Sequence, residues 1–221
     1  MINIMLPSGD MKQFENSVNM FDIAKSISNS LAKKAIGARV DGKLVDMTYV
    51  VEKDAKVELV TPETEDGVEI IRHSTAHLMA QAVIRLFAGT KVSIGPSIDK
   101  GFYYDFDPLS QFSEEDLIKI ENEMKNIAKE DIKIVRHEIT REDAIEKFKA
   151  MGENYKVEII ESIPVGEILS LYEQGEFIDL CRGPHVPSTR YLKAFKLTKV
   201  AGAYWRGDSK NKMLQRIYGY A

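Results

Sequence analysis

At 221 residues, with 44% hydrophobic and 29% charged side chains and a net charge of −4, the chain has the makeup of a folded globular protein rather than a disordered one. A single cysteine excludes an internal disulfide framework. No apolar run approaches ~18 residues and no basic-then-apolar leader opens the chain, so neither a membrane span nor a secretory signal is expected, and a reducing, cytoplasmic setting is.

In chain order, Ile2, Ile4 and Leu6 alternate as a half-buried strand, Pro7-Ser8-Gly9-Asp10 turns, and residues 11–16 return as a hairpin. Asn19 with Asp22 reads as a helix start, and Ile23, Ile27, Leu31 and Ala35 form one apolar stripe, predicting a single helix of about four turns that ends near Gly37. Residues 39–45 fold about Asp41-Gly42, a two-residue hairpin signal, and 57–60 adds a strand. This order predicts a small ubiquitin-like β-grasp domain over residues 1–62. Residues 37–44 nearly spell a phosphate-binding P-loop, but Leu44 stands where a hydroxyl is needed and Gly42 falls at a hairpin tip, so nucleotide hydrolysis is rejected.

The polar run 62–67 reads as a hinge, and a second domain is predicted over 63–221. A largely buried helix is expected over 68–88, strands over 92–96 and 101–106, and a helix from Ser113 to Lys129. A strand over 132–139 and a helix from Thr140 to Gly152 follow. Residues 156–160 are read as a strand, 164–175 as a short helix opened by Pro164, and 176–180 as a strand; 196–205 and 213–218 flank a turn at Arg206-Gly207-Asp208. Helices and strands without regular βαβ alternation predict α+β, with helices on one face of a mainly antiparallel sheet.

Charge is uneven. From Arg182 onward nine basic residues meet one acid, Asp208, giving +8 there and −12 over the rest. Such an end suits a polyanion such as nucleic acid; a solvated, salt-bridged surface is the other reading.

Three of four histidines and the only cysteine gather in Arg72-His73-Ser74-Thr75-Ala76-His77 and Asp179-Leu180-Cys181-Arg182-Gly183-Pro184-His185. On a helix His73 and His77 share one face, whereas Gly183-Pro184 forces the second segment into a loop. Two histidines at this spacing can also be structural. His73, His77, Cys181 and His185 match the donor count and softness of a tetrahedral zinc site, which is possible but not required. Ser74 stands where a His-Glu-x-x-His peptidase keeps its glutamate, so peptide hydrolysis is not expected. Imidazoles and a thiol without a carboxylate base suit an activated bond such as an ester. A Cys181–His185 nucleophile pair is a rival arrangement. His137 lies in a charged strand and reads as structural.

These two segments, with Gly95-Pro96 and Gly101-Phe102-Tyr103-Tyr104-Asp105-Phe106 between them, resemble the editing domain of bacterial threonyl-tRNA synthetases, and the His pair with Cys-x-x-x-His is shared with alanyl-tRNA editing domains. The leading β-grasp unit is similar to the TGS domain. The resemblance covers essentially the whole chain and implies an N-terminal fragment, without the aminoacylation core that would use ATP and its own zinc. Such a fragment would not make threonyl-tRNA.

The implied task is hydrolysis of serine misattached to tRNA(Thr), because serine differs from threonine by one methyl, worth only ~1–3 kcal/mol at a synthetic site. The resemblance gives His73, His77, Lys156, Cys181 and His185 as catalytic residues. His73 and Lys156 would polarise water and the leaving group, and Asp179 would pair with the substrate ammonium. Tyr104, the Gly95-Pro96 backbone and Arg182 would complete the binding wall. Editing would need no cofactor, although alanyl relatives hold zinc. The expected partner is the seryl acceptor end of tRNA, with a monomeric fragment and a full-length homodimer formed through the core. A free-standing deacylase, an RNA-docking module and a zinc hydrolase of small esters are the alternatives.

Overall fold

The computed structural model describes residues 1–221 in two units, Met1–Ile71 with Gly183–Pro187 and Arg72–Arg182 with Ser188–Ala221. In the first, β1 (Ile2–Met5) and β2 (Met11–Phe14) form the expected hairpin, with Ile4 opposite Lys12. Then come β3 (Val18–Asn19), α1 (Met20–Ile27), α2 (Asn29–Lys34), β4 (Gly37–Val40), β5 (Lys43–Val45), β6 (Val50–Val51) and β7 (Ala55–Val60). The five-stranded sheet runs β2-β1-β7-β4-β5, with β1 and β7 parallel and the other pairs antiparallel, and β3 pairs β6 as a short ribbon. Asp41 and Gly42 both take positive φ, +49° and +85°, as the two-residue turn between β4 and β5 requires.

The predicted single helix is two. Ser28 leaves the helical region (φ −163°, ψ 151°), donates its N–H to the Ala24 carbonyl at 3.0 Å, and accepts the Leu31 N–H on its Oγ at 3.0 Å. It thus ends α1 and caps α2. An apolar stripe records which face is buried; it does not see a serine whose hydroxyl competes for backbone donors. Ile4, Met20, Ile23, Ala24 and Met47 are buried in the resulting apolar core.

Helix α3 (Glu65–Leu86) starts with the first unit's residues and continues into the second. The second unit then contains β8 (Lys91–Val92), β9 (Ser97–Ile98), β10 (Gly101–Asp107), α4 (Glu114–Lys129), β11 (Ile134–Ile139) and α5 (Arg141–Ala150). It is completed by α6 (Asn154–Ser162), β12 (Leu169–Gln174), β13 (Phe177–Leu180), β14 (Lys196–Tyr204) and β15 (Met213–Tyr220). Two antiparallel sheets result, β14-β15-β10-β8 with β9 on β10, and β11-β12-β13. The fold is α+β with mainly antiparallel pairing, as expected.

Two readings are corrected here. Residues 156–160, expected as a strand, lie within α6, and 164–175, expected as a helix, is a turn followed by β12. In α6 the buried positions are Lys156, Val157 and Ile160, a helical face that pattern reading misses because one member is a lysine. β12 buries residues on both faces, so it shows no alternation, and its Leu169 and Leu171 pack with Phe148, Val157 and Ile160.

Candidate functional site

In the second unit, the i, i+4 spacing on α3 sets the His73 and His77 rings 5.3 Å apart, edge to face. Cys181 follows β13, where its N–H donates to the Ser170 carbonyl at 3.1 Å, and its Sγ comes 3.2 Å from His73 Nε2. One donor atom from each of His73, His77 and Cys181 lies within 4.8 Å of the others, so this His/Cys group can hold a metal ion. His73 and Cys181 are half-buried and His77 is buried.

Behind the trio lies a buried polar network. Asp179 is 2% exposed, and its carboxylate receives the Tyr104 hydroxyl at 2.6 Å, lies 3.3 Å from His77 Nε2 and pairs with the Lys156 ammonium. Lys156, 1% exposed, also donates to the Ser93 carbonyl and to the Tyr104 hydroxyl, the latter at 3.0 Å. The ammonium therefore gives its three hydrogens to three acceptors, and Tyr104 accepts from Lys156 while donating to Asp179. Burial pulls the Asp179 carboxyl upward, but the Lys156 charge and the bonds from its partners outweigh this and leave it below its usual range. Tyr104 is pushed well above its usual value by burial and then by the Asp179 charge, so it stays a phenol. Burial takes His77 down to about 3, against the opposing pull of Asp179. A neutral His77 that donates from Nε2 to Asp179 keeps Nδ1 as an acceptor, the tautomer control usual behind a ligand or base imidazole.

Gly95 is held at its position by Tyr104. A Cβ there would lie 2.0 Å from the Tyr104 ring, so only glycine lets the 93–96 segment pass this close. That segment also exchanges two backbone bonds with β10, Ser93 N–H to the Asp105 carbonyl and Asp105 N–H to the Ile94 carbonyl, each 3.0 Å, and the Pro96 carbonyl accepts the Tyr103 N–H at 3.3 Å. The exposed guanidinium of Arg182 pairs with Glu167 at 2.7 Å. His137, on β11, sits 3.3 Å from Glu173 at the surface. His185 belongs to the segment Gly183–Pro187, which groups with the first unit; it is buried, and its N–H donates to Asp46 Oδ1 at 2.9 Å.

Sequence reasoning missed Ser93 and Glu153. Ser93 contributes a main-chain carbonyl, which no side-chain pattern records. Glu153 precedes α6 and accepts the Val92 N–H at 3.1 Å, tying the strand next to Ser93 to the helix that carries Lys156; burial raises its carboxyl. The basic carboxyl-terminal stretch is largely compensated. Arg182, Arg190, Lys196, Lys212 and Arg216 pair with Glu167, Asp131, Glu121, Asp107 and Asp105, acids from earlier in the same unit. No helix is long and apolar enough to cross a membrane.

Known proteins reproduce this two-part makeup. Residues 2–61 match the TGS domain family, and residues 169–218 match the family described as the threonyl and alanyl tRNA synthetase second additional domain. A β-grasp TGS domain joined to an editing-type synthetase domain is the class these matches define. Over nearly its whole length the chain is similar to threonine--tRNA ligases: 65% identical to that of Fusobacterium nucleatum subsp. nucleatum over 203 residues, 91% of the chain and 33% of that protein. It is 58% identical to the enzyme of Laribacter hongkongensis, covering 99% of the chain and 34% of the relative, and 58% identical to that of Legionella pneumophila strain Corby, covering 100% and 35%. The chain is thus similar to threonyl-tRNA synthetases over nearly all of its own residues and spans about a third of the length of the relatives it matches.

Proposed function

We propose that the second unit hydrolyses the ester of serine misattached to the tRNA that should carry threonine, in a cytoplasmic synthetase whose TGS-like domain spans 1–62 and editing domain 63–221. The observation that carries this reading is the buried Lys156–Asp179–Tyr104–His77 network ending at the half-exposed His73–Cys181 pair, in a chain similar to threonyl-tRNA synthetases. Aminoacylation with ATP, and dimerisation through a core, belong in this reading to the longer relatives.

The geometry supports a different division of labour from the one expected. Asp179 is enclosed by three partners of its own fold, so in this reading it anchors Lys156, Tyr104 and His77 rather than meeting the substrate ammonium. Lys156 is likewise spent on internal acceptors and holds the network's charge balance. His73, at the solvent side, takes the proton of the attacking water, and the neutral acceptor nitrogen of His77 orients it; the proton then passes to the ribose oxygen as the acyl–oxygen bond breaks. His185 enters as a fourth member by its sequence position, four residues beyond Cys181. Gly95, Pro96 and Tyr104 form the wall that excludes threonine by its extra methyl, and Arg182 meets RNA. His73, His77 and Cys181 are donors of the kind zinc takes, and a metal held there would polarise the water; no proton step above depends on it.

The test is deacylation of seryl-tRNA bearing the threonine anticodon. The double variant His73→Ala, Lys156→Ala should lose on the order of 10² in rate or more. Equal rates for variant and wild type overturn the assignment, and equal cleavage of threonyl-tRNA overturns the size sieve.

A further inference from the structure

Beside the candidate site, the turn between α6 and β12 presents two large aliphatic side chains to solvent, Val165 at 95% and Ile168 at 72% exposure. A lone exposed aliphatic is ordinary; two on one braced turn call for a reason. Arg141, at the start of α5, donates to the carbonyls of Ile160, Ile163 and Pro164, the last two at 2.7 and 2.9 Å. Gly166 takes φ +93°, and Glu167 N–H reaches back to the Pro164 carbonyl at 3.4 Å. The apolar tip is preformed and cannot fold inward to hide itself.

Strand pairing fixes where this tip stands. Cys181 and Ser170 exchange hydrogen bonds, so Arg182 emerges beside Glu167 and pairs with it at 2.7 Å while its side chain stays 80% exposed. An exposed pair of this kind is worth at most ~1 kcal/mol, so a phosphate can take the guanidinium in a charge-assisted bond. Two residues before Ser170, which pairs with Cys181, the chain thus presents an exposed aliphatic tip, and one residue after Cys181 a transferable cation.

We infer that the turn 164–168 together with Arg182 is a docking surface for the unpaired RNA nucleotides that precede the esterified 3′ end, a base lying over Val165 and Ile168 and its phosphate on Arg182. The inference rests on the ester-hydrolysis reading above. Charge selects the occupant: the exposed guanidinium of Arg182, the residue after Cys181, suits a polyanion, and the aliphatic tip suits the face of a base.

The experiment compares two seryl esters with the intact chain: an RNA minihelix with a single-stranded 3′ end, and 3′-O-seryl-adenosine, which has no preceding nucleotide. In the Val165→Ser, Ile168→Ser variant the ratio of kcat/KM for minihelix over seryl-adenosine should fall about tenfold, through KM, as expected for loss of one base contact. In Arg182→Ala the same ratio should fall, and the log–log salt dependence of minihelix cleavage should become shallower by about one phosphate contact. Both sites are solvent-exposed, and unchanged melting temperatures will show the variants folded. If wild type cleaves both esters and the ratio is the same in every variant, the docking surface is overturned, and the tip is left for a protein partner. If wild type cleaves neither, the ester-hydrolysis reading itself falls.

Discussion

The two units bury different things. In the first, the core is a run of apolar side chains, Ile4, Met20, Ile23, Ala24 and Met47 among them, and His185 is the one ionisable side chain buried with it. In the second, Lys156, Asp179, His77 and Glu153 are buried beside Tyr104 and Phe106. Burying apolar surface stabilises; burying charge stabilises little unless the partners are complete, and removing one partner leaves a stranded ion. The first unit is built to hold together, the second to keep ionisable groups where water cannot reach them.

The sharpest way to break this contrast is substitution. Asp179→Ala should cost ~3–5 kcal/mol by stranding Lys156, whereas Lys156→Met with Asp179→Leu should recover most of that loss while abolishing the proposed ester cleavage. Ile23→Ala should cost a similar ~2–5 kcal/mol through a cavity that no second charge change repairs. Urea unfolding followed by Trp205, the chain's single tryptophan, reads the second unit directly. A double variant no more stable than Asp179→Ala would mean that the buried charges are not the second unit's weak point.

Acid sharpens the same contrast. Folded His77 is held to about 3 by burial and stays neutral, while the unfolded chain protonates it near 6.5. Between those values the unfolded state binds the extra proton, so its stability gains and folding weakens as pH falls from 6.5 toward 3. The His77 contribution approaches ~1.4 kcal/mol per pH unit below 6.5, and a His77→Gln variant should show a pH slope shallower by that amount between pH 6 and 5. Identical slopes would remove His77 from the account.

The smallest effect falls in the first unit. Ser28→Ala should cost ~1 kcal/mol, the worth of one helix cap, and should be seen in urea melts by circular dichroism. A change near zero would show that the break between α1 and α2 is held by packing instead.

Much of the molecule was legible from residue order alone. Hairpins at Pro7–Asp10 and Asp41-Gly42, the cap at Ser113, the long helix bearing His73 and His77, and the paired strands around Arg206-Gly207 follow from local rules of turn chemistry and periodicity. The meeting of His73 with Cys181 was foreseen because rare, chemically matched residues were gathered in two segments. Where local and long-range forces disagree, sequence reading failed. Residues 156–160 were read as a strand since a lysine hid the buried helical face, and 169–174 were misread because a strand buried on both faces carries no alternation.

Charge shows the same division. Composition determined that the last forty residues are basic; only the tertiary structure decided that five of those nine cations face acids from the preceding chain. Likewise, the residue types determined what chemistry was available, but the fold decided that Asp179 spends its charge on Lys156, Tyr104 and His77. The reason is physical: periodicity and capping act within a few residues, whereas the partner of a buried charge is whichever group packing brings within hydrogen-bond reach, at any separation along the chain.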